Sequence, residues 1–246
     1  MLTLFRNIFA PPRDLILVVI AIWLGTWLAD KRASRHGISP NALEKITFYP
    51  LLGYILGGRL LYVVENIAGF IQSPRDIISL NVELFDPWGG LFVALVVAYV
   101  IGGREDLSLW PVLDALTPLF AVMLVGMGLA NFASGMAFGS GTDLPWAIDL
   151  WGAARHPSQL YAALASFLTL GLLWFQKAGT PPGIHFLTYS ALTSGWMLFL
   201  EAFRGDSFLV FAGLRLTQVI AWFVLALSLF LIDRKLGSTK IRNHKI

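Results

Sequence analysis

Seven long runs with little or no charge punctuate this chain, at residues 15–29, 46–64, 87–102, 113–132, 158–175, 183–203 and 214–232. Roughly 20 apolar residues cross a hydrocarbon core as a helix, and each run is close to that length. An unsatisfied backbone polar group in lipid is costly, so the runs predict helices rather than strands. The expected fold class is therefore all-α: a polytopic membrane protein with seven transmembrane helices. No fixed-period repeat and no low-complexity linker interrupts the pattern, so 1–246 reads as a single transmembrane domain. The first run does not read as a cleavable signal. It lacks a small-residue cleavage site, and Lys31 and Arg32 follow it instead of preceding it.

Composition sharpens this reading. Hydrophobic residues make up 57% and charged residues 13%, with mean hydropathy +0.70, which excludes an ordinary soluble domain. Cysteine is absent, and the four histidines (His36, His156, His185, His244) form no HxxH or HExxH spacing, so no metal and no cofactor is expected. A net charge of +3 gives no reason to expect nucleic acid. The placement of charge says more. Lys31, Arg32, Arg35, Lys45, Arg104, Lys177, Arg234, Lys235, Lys240, Arg242 and Lys245 put eleven cations on one side. Arg6, Arg13, Arg75, Arg155, Arg204 and Arg215 put six on the other. The positive-inside rule then predicts an outside N-terminus and a cytoplasmic C-terminus.

On that topology the polar residues within the spans fall at one depth. Arg59 lies fourteen residues beyond Lys45, about 20 Å up a helix that rises ~1.5 Å per residue. Asn131 lies seventeen residues beyond Asp114. His156 to Tyr161 open the fifth helix from the outside, Glu201 and Arg204 close the sixth, and Gln218 starts the seventh. Polar groups inside spans usually face a bundle interior or a wet cavity, which predicts a polar cavity in the outer half. Simpler roles stay open for each residue. Arg59 snorkels or pairs with Glu65, Asn131 bonds between helices in the small-residue stretch 126–130, and Glu201 with Arg204 forms a local ion pair. Trp88, Trp110, Trp146 and Trp151 read as an interfacial aromatic belt.

The densest chemistry is Arg155-His156-Pro157-Ser158-Gln159-Leu160-Tyr161, directly ahead of the uncharged run 162–175. This block resembles the HPxQLYE segment of the prolipoprotein diacylglyceryl transferase family, seven-span bacterial enzymes of lipoprotein maturation. Other segments agree in the same order. Residues 57–63 (Gly-Gly-Arg-Leu-Leu-Tyr-Val) resemble the family's GxRxGYV, and residues 88–91 (Trp-Gly-Gly-Leu) its WxGGL. Asp114 and Pro118 match the opening of its fourth helix, and residues 142–147 its TDxPWA loop. Residues 201–204 (Glu-Ala-Phe-Arg) resemble its EFxR, and residues 216–218 the start of its last helix.

The resemblance implies a multi-pass protein of the bacterial plasma (inner) membrane. It implies His156, Glu201 and Tyr161 as catalytic residues, with Arg59, Asn131, Gly139, Gln159 and Arg204 binding substrate and no metal or cofactor. The implied partners are a phosphatidylglycerol-like phospholipid and prolipoprotein signal peptides. The family moves diacylglyceryl from phosphatidylglycerol to a lipobox cysteine thiol. A thiol of pKa ~8.5 needs a base, and a departing phosphate is best held by arginine forks. This chain departs from the family there. Gly128 and Met197 stand where the family carries arginines, Ala94 where it carries a histidine, and Ser134 and Met136 where it carries asparagine and glutamate. Two readings follow: a divergent transferase relying on His156, Arg59, Arg155 and Arg204, or a catalytically silent relative that binds lipid or a protein partner as a structural subunit.

Overall fold

The computed structural model describes residues 2–78, 84–176, 179–210 and 213–243, with side chains up to 237. Lys177, Lys245 and His244, and the side chains of Lys240 and Arg242, lie outside the described residues. In chain order the helices are α1 (Leu2–Ile8), α2 (Leu15–Ala33), α3 (Pro40–Glu65), α4 (Ile67–Gln72) and α5 (Pro87–Arg104). Then come α6 (Leu109–Ser134), α7 (Ser158–Trp174), α8 (Ile184–Leu200) and α9 (Leu216–Asn243). A long helix stands at each of the seven apolar runs. Among the described residues four are long and apolar enough to cross a membrane: Pro40–Glu65, Pro87–Arg104, Leu109–Ser134 and Leu216–Gly237.

The protein is mostly helical, at 74%, and the all-α expectation needs one correction. Two small antiparallel hairpins flank the helices: β1 (Ile148–Leu150) with β2 (Ala153–Arg155), and β3 (Leu209–Val210) with β4 (Leu214–Arg215). Three-residue strands carry no alternating pattern long enough to read, and Gly152 at φ +74° makes the first turn.

The helices fall into two compact units, Met1–His36 with Leu113–Ile246, and Gly37–Val112. Within the smaller unit α3 packs on α5 through glycines. A Cβ on Gly57 would lie 2.4 Å from the Val93 side chain, and one on Gly90 would lie 2.7 Å from the Tyr54 carbonyl. Where lipid replaces water, helices associate through such close approach of backbones. Asp86 caps α5, accepting from Trp88 N at 3.1 Å and Gly89 N at 2.8 Å. Lys45 and Glu105 form an ion pair at 2.7 Å within the same unit.

Within the larger unit α2 meets α6 along Ala21, Gly25 and Ala29, all buried and spaced by four. A Cβ on Gly25 would lie 2.9 Å from Leu119 Cα, and one on Gly126 would lie 2.3 Å from Ala21 Cβ. α6, α7 and α8 share a core of Ala121, Leu173 and Tyr189 with Phe120, Leu124, Leu170 and Phe186 packed around it. Asp114, on α6, caps the start of α8: its carboxylate accepts from Gly183 N at 2.6 Å and Phe186 N at 2.8 Å. These backbone donors belong to the first turn of α8, where a carboxylate also meets the positive end of the helix dipole.

Candidate functional site

Above that core, α6, α7 and α8 part to leave a pocket of about 190 Å³. Each helix contributes one face. Met127, Gly128 and Asn131 come from α6, and Gln159, Ala162, Ser166 and Thr169 from α7. Thr193, Trp196, Met197 and Leu200 come from α8, with Glu201 and Arg204 just beyond its end. The spacings of three and four put each set on one helical stripe.

A short extended segment holds the rim together. Ser140 N donates to Phe203 O at 2.8 Å, Gly205 N to Phe138 O at 2.8 Å, and His156 N to Ser140 O at 3.0 Å. Residues 138–141 thus run between the end of α8 and the approach to α7, which brings Glu201 and Arg204 near Ser158 and Gln159. Gly139 makes this possible: a Cβ there would lie 2.1 Å from the His156 carbonyl oxygen. Arg155 braces the same loop, donating to Leu150 O at 3.0 Å and Gly139 O at 3.2 Å while lying over the Phe138 ring.

The hydrogen bonding of the pocket wall is uneven. Its hydroxyls are occupied locally: Ser158 Oγ donates to Ala137 O at 2.8 Å, Ser166 Oγ to Ala162 O and Thr169 Oγ1 to Ala165 O, both at 2.9 Å. Gln159 Nε2 donates to Met136 O at 2.9 Å. Three buried atoms on lining residues have no partner among the described residues: Gln159 Oε1, Glu201 Oε1 and Trp196 Nε1. Gln159 is 2% exposed and Glu201 4%. Leaving such a group unpaired costs about 1–3 kcal/mol, so these three atoms call for partners such as water or a ligand. Glu201 Oε2 meets Arg204 Nη1 at 3.5 Å, while Arg204 also grips Asp206 at 2.8 Å.

Of the residues singled out in the sequence, Asn131, Gln159, Glu201 and Arg204 come together in this pocket. His156 and Tyr161 are not among its lining residues. They form an aromatic cluster beside it, with His156 Nδ1 3.4 Å from the Tyr161 hydroxyl, which accepts from Trp146 Nε1 at 2.7 Å. Phe203 packs edge-on against His156 at 5.1 Å between centroids. Gly139 supports the rim and does not line the pocket. Arg59 belongs to the smaller unit, where Nε donates to Ile77 O at 3.0 Å and its terminal nitrogens reach the carbonyls of Asp76 and Leu84.

The departures from the family pattern have physical consequences. Gly128 and Met197, at positions where the resemblance places arginines, both line the pocket. At Gly128 even a Cβ would come within 2.9 Å of Ala163 Cβ and of Gln159 O, so α6 has closed onto α7 where a long side chain would stand. Trp196 and Thr193 were not singled out in the sequence. Their signal was the stripe 193, 196, 197, 200, 201, 204 at helical spacing, which an apolar reading of α8 passes over. Among the described residues no three His, Asp or Glu side chains gather as a metal site.

A model of the prolipoprotein diacylglyceryl transferase family matches residues 15–233. Similar curated proteins include three named phosphatidylglycerol–prolipoprotein diacylglyceryl transferase. That of Methylococcus capsulatus is 31% identical over 68% of this chain and 66% of its own length. That of Clostridioides difficile is 30% identical over 84% and 83%, and that of Solidesulfovibrio magneticus 27% over 89% and 88%.

Proposed function

The chain belongs to the prolipoprotein diacylglyceryl transferase family, and we propose that it transfers diacylglyceryl from phosphatidylglycerol or a related phospholipid to the cysteine thiol of a prolipoprotein lipobox. The observation that carries this reading is the pocket between α6, α7 and α8. Two of its three unpaired buried polar atoms lie on residues that match the family's motifs, Gln159 and Glu201. We read 1–246 as one transmembrane domain, in keeping with a family match that covers residues 15–233. All seven long helices cross the bacterial plasma membrane, with the N-terminus outside and the C-terminus in the cytoplasm, in keeping with the charge bias.

In the reaction, the thiol sulfur bonds to the terminal glyceryl carbon of the lipid as that carbon's bond to the phosphate oxygen breaks. With phosphatidylglycerol, glycerol phosphate leaves with the electron pair. His156 takes the thiol proton: with Nδ1–H given to Tyr161, Nε2 keeps its lone pair. Arg204 stabilises the charge that develops on phosphate, the kind of contribution worth about 10²–10³ in rate per donor. Asn131, Gln159 and Glu201 position the headgroup, and Gly139 holds the rim that carries them.

Complementation of a strain depleted of its own diacylglyceryl transferase tests the whole reading. Growth rescue with lipidated prolipoprotein is the expected result. No rescue despite membrane expression, together with no transfer to a lipobox peptide in vitro, would overturn it.

A further inference from the structure

We propose that Trp196 is a specificity-determining residue of the pocket: its indole N–H donates to an ester carbonyl of the lipid, so that ester-linked glycerophospholipids are preferred to ether-linked ones. The inference rests on the transferase reading for the pocket's being a lipid site, and adds to it how the diacylglyceryl part is recognised. Trp196 lies on the α8 wall, and its Nε1–H is buried without an acceptor among the described residues. An indole nitrogen can only donate. Its open position therefore calls for an acceptor, which a bare alkyl chain does not supply.

The level of Trp196 on α8 decides which acceptor. It stands five residues before Glu201, so at ~1.5 Å per residue it lies about 7 Å along the helix from the rim. At the rim, Arg204 and the Asn131 amide offer donors that suit a phosphate. In a glycerophospholipid the ester carbonyls follow the phosphate by the length of a glycerol, and beyond them comes hydrocarbon. A lipid lying with its phosphate at the rim thus brings its carbonyls to the level of Trp196 and its chains past Leu124 and Ala165. The hydroxyls deeper in the wall are already engaged. Ser166 Oγ donates to Ala162 O and Thr169 Oγ1 to Ala165 O, and Thr193 is hydrogen-bonded to Tyr189. Met197, where the resemblance places an arginine, supplies no donor. An ether-linked lipid has no carbonyl to give. A site built around a buried hydrogen bond rejects the analogue that lacks it, because its own polar group is then left unpaired. The bond that breaks in the transfer lies at the phosphate end, so the esters, and this contact, persist from bound lipid to product.

Equilibrium binding to the full-length protein in detergent micelles tests this, with diester and diether phosphatidylglycerol of identical short chains. The diester is expected to bind about tenfold tighter, the worth of one buried neutral hydrogen bond. Trp196→Phe, which keeps a ring and loses the N–H, should bring the diester down to the affinity of the diether, with its melting profile checked against the unaltered protein. Equal affinity for the two lipids in the unaltered protein, tighter binding of the diether, or no binding of either would overturn the proposal, whether or not Trp196→Phe folds. So would a folded Trp196→Phe that keeps the preference. A transfer assay to a lipobox peptide is read separately. Ester preference without transfer from either lipid would sink the transferase reading and leave the role of Trp196 standing. Transfer without ester preference would do the reverse.

Discussion

Gly139 and His156 are neighbours in space for a reason that lies in the absence of a side chain. The rim strand passes so close to the His156 carbonyl that a methyl group has no place. Gly139→Ala is expected to lower stability by about 1–3 kcal/mol, the usual cost of overpacking, and to lower transfer activity with it. Thermal unfolding of the purified protein measures the first effect; an unchanged melting temperature would show that the rim yields freely. His156→Ala should behave differently. The imidazole is half-buried among Tyr161 and Phe203 rather than in the core, so folding should survive while transfer of labelled diacylglycerol falls about 10²-fold, the range of general-base contributions. Equal transfer by the unaltered protein and His156→Ala would remove His156 from the role of base.

Between helices, Asp114 does the work that capping residues usually do within one. By reaching from α6 to Gly183 N and Phe186 N it ties the start of α8 to α6. Asp114→Ala leaves two backbone donors unpaired near the core and should destabilise by about 1.5–3 kcal/mol, with Asp114→Asn milder. His36 lies 3.9 Å from the same carboxylate and 5.2 Å from the His185 ring centre. Burial holds the His36 imidazole below its ordinary value, with His185, Arg32 and Arg35 adding to the effect and Asp114 opposing it. The unfolded chain therefore binds the proton more readily. This contribution to stability is complete above about pH 6.5 and declines as pH falls from there toward the lowered native value. Melting curves across that window should show the slope, and His36→Asn should flatten it.

At the scale of the whole molecule, the cysteine-free chain invites single-cysteine labelling. A cysteine at position 75 should react with an impermeant reagent from outside, and one at position 35 only after the membrane is opened. Labelling of position 35 from outside intact cells would overturn the orientation drawn from the charge bias.

Much of this protein was written in its order of residues. Seven apolar runs each became a helix because helix formation in a low-dielectric medium depends on local hydrogen bonds alone. Their boundaries moved, most at α9, which runs on past Ile232 to Asn243, and less where Pro40 and Leu109 start α3 and α6 ahead of each apolar run. Ordered motifs likewise single out Asn131, Gln159, Glu201 and Arg204 in the sequence. The tertiary structure alone decided which of these share a pocket. Depth along a helix follows from counting residues, but the direction a side chain faces depends on which helices pack against it. Hence His156 and Tyr161 stand beside the pocket instead of in its wall. The same holds for Gly128. Sequence shows a glycine where the family resemblance places an arginine; only the contact with Ala163 and Gln159 shows that the neighbouring helix leaves no room for a side chain there, because close packing is a property of two surfaces together and of neither alone.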